Sequence, residues 1–126
     1  MEKSVNSYSP LTLAYVGDAV IELLAREFLV KKEEAQLSVL NERCRAFVTA
    51  VNQSAAAKNG EEIFTEEEAD IFRRGRNAKT SNTPKSAKVR EYHRATGLEA
   101  VFGYLYLSGN TERARELFCR IYGVSE

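Results

Sequence analysis

The chain has one histidine, His93, and two cysteines, Cys44 and Cys119, in 126 residues. A single imidazole cannot build a histidine-rich metal site or an HD-type phosphohydrolase centre within one chain. The cysteines are far apart and in no CxxC pair, so they are expected to be free thiols in a reducing compartment, and no zinc site is indicated. No Gly-x-Ser-x-Gly elbow marks a serine nucleophile. No run approaches about 18 uncharged apolar residues, and the opening MEKSVNSYSP lacks the apolar core of a signal peptide. A soluble, cytoplasmic protein with no membrane partner is the expectation. Strand patterns, repeats and linkers are also missing, which leaves residues 1–126 as one all-α domain, long enough for its own hydrophobic core.

A net charge of zero hides a strong separation. Residues 73–94 carry eight Lys or Arg against one acid, whereas the rest of the chain holds ten basic and seventeen acidic residues. The acidic stretch EEIFTEEEAD (61–70) directly precedes this basic one. Such polarity suits a polyanion on one face, with Lys and Arg following phosphates rather than reading bases. Charge runs are commonly just solvated, but Gly75, Asn77, Ser81, Asn82 and Pro84 predict a long loop here. Long loops in compact domains are usually functional or disordered.

The remaining pattern is helical. Ser9 is placed to cap a helix with Pro10 at its first position, running to about Val30. Residues 36–60 carry Leu37, Leu40, Cys44, Phe47, Val48 and Val51 at helical spacing, with room for one break and a stop at Asn59-Gly60. Thr65 and Glu68 form a capping box that opens a short helix leading into the basic loop. A further helix holds Glu99, and after Ser108-Gly109-Asn110 a last one presents Leu117, Phe118 and Ile121.

Two acids interrupt otherwise apolar helical stretches: Asp18 in LAYVGDAVIELLA (13–25) and Glu99 in TGLEAVFGYLYL (96–107). A buried carboxylate must take up a proton or find a cation, and active sites tolerate that cost. Asp18, Glu22 and Arg26 form one narrow polar stripe, in which Glu22 has Arg26 as its i+4 partner and Asp18 has none. Gly17 precedes Asp18, and Gly103 follows Glu99 by one turn. Such glycines either leave room for a hydrated metal or permit close helix packing. A single acid on an apolar helix is more often a rim or salt-bridged residue than a ligand, so spacing alone does not decide the matter.

The motifs carry a resemblance that does. AYVGDAVIELLA (14–25) resembles the signature segment of the ribonuclease III family, GLEAVFGYLYL (97–107) resembles its second acidic segment, and LNERCRAFVTA (40–50) resembles the helix between them. The order agrees, and the likeness covers almost the whole chain. Family members with four acidic metal positions carry a Glu four residues before the Asp and an Asp three before the Glu; here these are Ala14 and Thr96. Thr96 keeps a hydroxyl able to position a water. The short length and RGRNAKTSNTPK (74–85) look like the short bacterial form of the family, Mini-ribonuclease III, which lacks the double-stranded-RNA-binding domain.

That resemblance implies a homodimeric endoribonuclease cutting double-stranded RNA to 5′-phosphate and 3′-hydroxyl ends. It implies the 23S ribosomal RNA precursor as substrate and allows a ribosomal protein as helper. Asp18 and Glu99 become the catalytic residues and the ligands of Mg²⁺, for which Mn²⁺ can substitute. Mg²⁺ keeps several waters, so two carboxylates plus substrate phosphate suffice for one ion, and the number of ions stays open. Arg74, Arg76, Asn77, Lys79, Lys85 and Lys88 would bind RNA, and Tyr15, on an apolar face with Leu11 and Ala19, would lie at the dimer interface. Phe102, Tyr104 and Tyr106 would pack a core or subunit contact. His93 would face solvent or phosphate. The competing reading is a ribonuclease III-like domain that has lost activity and serves in RNA binding or ribosome assembly.

Overall fold

The computed structural model describes residues 4–78 and 88–125. A short 3-10 turn at Val5–Ser7 precedes six helices: α1 (Pro10–Lys32), α2 (Leu37–Val48), α3 (Ala50–Gly60), α4 (Glu66–Arg76), α5 (Lys88–Leu107) and α6 (Thr111–Tyr122). No strand occurs among the described residues, as the all-α expectation requires.

The helix boundaries follow local chemistry. The Ser9 hydroxyl accepts from the Thr12 backbone N–H at 3.1 Å, with Pro10 at the first position, where its missing N–H costs nothing. Thr65 and Glu68 make the expected reciprocal box: the Glu68 N–H donates to Thr65 Oγ1 at 3.1 Å, and the Thr65 N–H donates to Glu68 Oε1 at 2.9 Å. The long pattern of residues 36–60 breaks at Thr49. This residue is extended, ends α2, and caps α3 by accepting from the Asn52 N–H. Gly60 ends α3, and Gly123 closes α6 in the left-handed conformation at φ 67°.

Helix α5 lies at the centre, with α1, α3, α4 and α6 packed around it. Its Leu98, Ala100, Val101, Phe102 and Leu105 are buried, and Leu13, Ile21, Leu117, Phe118 and Ile121 close on them from α1 and α6. At one end Phe47, Phe118 and Tyr122 form an aromatic cluster, which the Tyr122 hydroxyl ties to α2 by donating to the Phe47 carbonyl at 2.8 Å. At the other, Arg113 of α6 grips the buried Glu68 carboxylate with two bonds of 2.8 Å and donates to the Ile63 carbonyl at 2.9 Å. Burial pushes Glu68 up, but Arg113 and the Thr65 N–H outweigh it and hold the group below the usual carboxylate range.

The central crossing is glycine-dependent. A Cβ added to Gly17 would sit 1.6 Å from the Glu99 carbonyl oxygen, and one on Gly103 would sit 1.8 Å from that of Leu13. Helices α1 and α5 therefore touch backbone to backbone. Of the two readings open for these glycines, close packing is the one realised, because the space a side chain would take is filled by the facing helix and not left for an ion. Gly97 makes a second close approach, with its would-be Cβ 2.7 Å from the Phe72 carbonyl oxygen of α4.

The basic stretch also departs from expectation. Arg73, Arg74 and Arg76 belong to the last turn of α4, so the segment expected as a loop from Arg73 to Lys88 is helical at its start, while α5 begins at Lys88 where the loop was expected to end. Within α4, three acids occupy the first turn and three arginines the last, as the helix dipole favours. Part of the charge separation read from the sequence is thus ordinary helix chemistry.

Because the obstacle at Gly17 is backbone, it cannot swing aside. Gly17→Ala should destabilise the protein by about 3 kcal/mol or more, the upper end of overpacking costs. Gly109→Ala, which has open space around it but a φ of 79°, should cost only about 1–2 kcal/mol. Urea unfolding of the two variants, followed by circular dichroism, separates them.

Candidate active site

The residue after Gly17 is Asp18, and the carbonyl that Gly17 touches belongs to Glu99. The closest backbone contact in the α1–α5 crossing thus sets the two acids side by side, near enough for their carboxyls to share a hydrogen bond. Both acids were read as carboxylates set in apolar helical stretches, and only one of them is sheltered. Asp18 is exposed, and only Glu99 is half-buried. Asp18 lies on the solvent edge of α1 beside Glu22, whose carboxylate pairs with Arg26 at 3.6 Å as expected from their spacing. The desolvation argument therefore holds for Glu99 and not for Asp18.

Burial is the largest influence on Glu99, and the hydrogen bond and negative charge of Asp18 add to it, raising its pKa from an ordinary 4.5 to about 8. The amide of Gln53 works in the opposite direction. In a metal-free molecule near neutrality, Glu99 accordingly holds a proton against Asp18. A divalent cation would replace that proton, since it favours the charged form of both groups.

Sequence reasoning missed the surroundings of this pair. Gln53, from the first turns of α3, is only 2 % exposed, and its amide points to Glu99. Tyr122 of α6 is close enough for Glu99 to raise its pKa, after burial as the main cause. The Tyr122 hydroxyl is committed to the Phe47 carbonyl and offers no further donor. A signal for Gln53 did exist: a long polar side chain in QSAAA (53–57), within a helix whose neighbours Ala56 and Ala57 are core. Without the α3–α5 packing nothing linked it to Glu99.

The two positions lacking acids are closed to a metal. Ala14 is buried, and the Thr96 hydroxyl is buried and donates to the Tyr92 carbonyl of its own helix at 2.9 Å, so the water-positioning role read for Thr96 finds no support. Among the described residues, no three His, Cys, Asp or Glu side chains converge as a metal-binding group. What exists is a pair of hard carboxylate donors, one exposed and one half-buried. That donor set fits an oxygen-seeking ion that keeps much of its water shell, such as Mg²⁺.

The other candidate residues divide. Arg74 is exposed on α4, Asn77 caps its C-terminus, and the Arg76 guanidinium lies 5.7 Å from the Phe72 ring centroid with its Nε donating to Asn77 Oδ1 at 3.3 Å. Lys88 is exposed at the start of α5. Lys79 and Lys85 lie outside the described residues. Tyr15 is 83 % exposed and is no core residue; Leu11, Ala19 and Leu23 continue its stripe at the surface of α1. Phe102 is core, Tyr104 is half-buried with its hydroxyl donating to Glu67 at 2.7 Å, and Tyr106 is exposed. His93 is half-buried with its Nδ1 shielded from water, and so does not simply face solvent. Cys44 is buried and Cys119 partly so, and the two do not form a disulfide.

Comparison with known proteins places this arrangement. Residues 11–110 match the family model of the ribonuclease III domain, a span that takes in both acids, Gln53 and the α1–α5 crossing. Curated relatives named Mini-ribonuclease 3 include one from Thermoanaerobacter sp., 41% identical over 92% of this chain and 82% of its own, and one from Staphylococcus aureus, 36% identical over 95% and 91%. A crystal structure of a Fusobacterium nucleatum protein superposes with a TM-score of 0.81 at 35% identity, covering 93% of both chains. With six helices among the described residues, two of them crossing at glycines, and the paired acids inside the matched span, the chain belongs to the ribonuclease III family of endoribonucleases, in its Mini-ribonuclease 3 branch.

Proposed function

We propose that the chain, as one ribonuclease III-like domain over residues 1–126, is a Mg²⁺-dependent endoribonuclease that cleaves double-stranded RNA and matures the ends of 23S ribosomal RNA precursors in the cytoplasm. The observation that carries this reading is the facing pair Asp18 and Glu99 at the α1–α5 crossing. Asp18, on the solvent edge, is the first group an arriving hydrated cation meets, and Glu99 would complete the hold from the protein side once its proton leaves. The bound ion would polarise the scissile phosphoryl oxygen and lower the pKa of an attacking water, giving 5′-phosphate and 3′-hydroxyl products. Mn²⁺ would substitute on the same oxygens. The names of the relatives support the substrate class; the ribosomal precursor, and a ribosomal protein as helper, follow from the likeness to the short bacterial branch.

Affinity for RNA would come from Arg74, Arg76, Asn77, Lys79, Lys85 and Lys88, against an otherwise acidic chain that repels polyanions. Contacts to phosphate and 2′-hydroxyl groups would make binding salt-dependent and largely selective for duplex shape. A duplex has two strands, and one chain supplies one acid pair. The exposed stripe Leu11, Tyr15, Ala19 and Leu23 supports a homodimer that supplies the second. The missing acids at Ala14 and Thr96 favour a second reading, an inactive RNA-binding or assembly protein, which the first experiment below separates from the first.

Asp18→Asn and Glu99→Gln should each abolish Mg²⁺-dependent cleavage of a long RNA duplex while leaving duplex binding in place. Wild-type protein that binds but does not cut would favour the inactive reading, and normal cleavage by either variant would sink the role of that residue. Stability without metal offers an independent check. Between pH 4.5 and about 8 folded Glu99 holds a proton that the unfolded chain has released, so its contribution is present below that window and is lost as pH rises through it. Glu99→Gln should flatten that decline in metal-free thermal melts.

For the RNA path, neutralising Arg76, Lys79 and Lys85 together should weaken duplex binding and lower the slope of log affinity against log salt by up to about 3. Cleavage at saturating RNA should persist. An unchanged slope in filter binding moves the RNA path to another face.

For the dimer, sedimentation of the wild type at micromolar concentration should give twice the chain mass, and Tyr15→Glu should give folded monomers that no longer cut both strands. A wild-type monomer that cleaves duplexes normally contradicts it.

A further inference from the structure

Gln53 is one of four buried polar or charged residues among those described, with Ser54, Glu68 and Thr96. Glu68 is gripped by Arg113, and Thr96 is bonded within its own helix. The Gln53 Nε2 is buried and makes no full hydrogen bond, although its backbone N–H is satisfied by the Thr49 carbonyl at 2.9 Å. A long amide that only filled space would be better replaced by Met or Leu, which fit a similar volume without a polar group to desolvate. The direction of the amide explains its presence. It lies against the Glu99 carboxyl and favours that group's charged form, as an N–H donor does.

We infer that Gln53 is a positioning residue, whose Nε2 donor fixes one oxygen of Glu99 so that the other is presented beside Asp18 to a divalent cation. The inference rests on the reading of Asp18 and Glu99 as a metal-binding pair. Each step belongs to the fold. Thr49 breaks the long helical pattern so that α3 starts afresh, which brings its first turns against α5, and position 53 falls on the inward face with Ala56 and Ala57. Groups in this supporting position commonly change metal affinity or activity by about 10–100-fold when removed.

The test compares wild type, Gln53→Met and Gln53→Glu, measuring Mn²⁺ binding to the RNA-free protein by titration calorimetry, metal-free and Mn²⁺-loaded melting temperatures, and cleavage kinetics. Gln53→Met should melt at or above the wild-type temperature without metal, bind Mn²⁺ about 10–100-fold more weakly, and lose kcat with KM for duplex RNA unchanged. Gln53→Glu keeps the volume but sets a third carboxyl against the pair. It should be less stable than wild type without metal and recover more on adding Mn²⁺ than wild type gains. Met and wild type with equal Mn²⁺ affinity and equal kcat, or a Glu variant whose loss of stability is the same with and without Mn²⁺, would show that Gln53 is only a packed core residue. A wild type that neither binds Mn²⁺ nor cleaves would instead overturn the metal-site reading itself, and the inference with it.

Discussion

The backbone contact between α1 and α5 at Gly17 and Gly103 is the constraint on which the rest depends. Two helices with ordinary side chains at the crossing would stand 8–10 Å apart, roughly. Removing both Cβ atoms lets carbonyls of one helix meet the Cα positions of the other. The consequence reaches past packing, because Gly17 precedes Asp18 and touches the peptide of Glu99. The same contact that seals the core brings two like charges together at its edge. Close packing and electrostatic repulsion are coupled there, and a rigid backbone keeps the carboxyls from relaxing apart, which is the condition under which one of them retains a proton well above its usual range.

Around that crossing several other acids are held by cations, unlike this pair. Glu68 is as deeply buried as any acid described, yet Arg113 and Thr65 satisfy it fully, so it stays ionised and ties α4 to α6. Glu22 has Arg26, Glu27 has Arg115, and Asp70 has Arg73. Among the described residues Glu99 pairs with no cation, and the groups that act on it are the carboxyl of Asp18 and the amide of Gln53. Structural ion pairs perturb carboxylates in both directions, so a shifted pKa by itself says little. A raised one beside an exposed like charge, with a buried amide in contact, is the arrangement that the proposed cation would relieve.

Much of this was legible in the chain. The Ser9 cap, the Thr65–Glu68 box, the stop at Gly60 and the apolar face of α6 are written in neighbours three and four residues apart, where helix geometry decides which atoms meet. Asp18 and Glu99 were legible too, as polar letters in apolar words. The basic stretch was half legible. Its charge was plain, but its arginines 73–76 read as loop because Gly75 suggested a break, whereas that glycine stays helical and packs its bare face against Gly97 and Ala100.

What the sequence by itself determined was local: the helical runs, several of their caps, and which residue types were out of place in them. It could not say that Asp18 would be exposed and Glu99 half-buried, since a polar stripe on one helix and a lone acid on another do not show which face the neighbouring helices cover. Nor could it say that Gln53 would meet Glu99, 46 positions away in sequence. Those outcomes belong to the tertiary structure. Burial of a helical residue depends on which face its neighbours cover, and that was settled by the glycine contacts that fix how closely and in what register α1, α3 and α4 lie on α5.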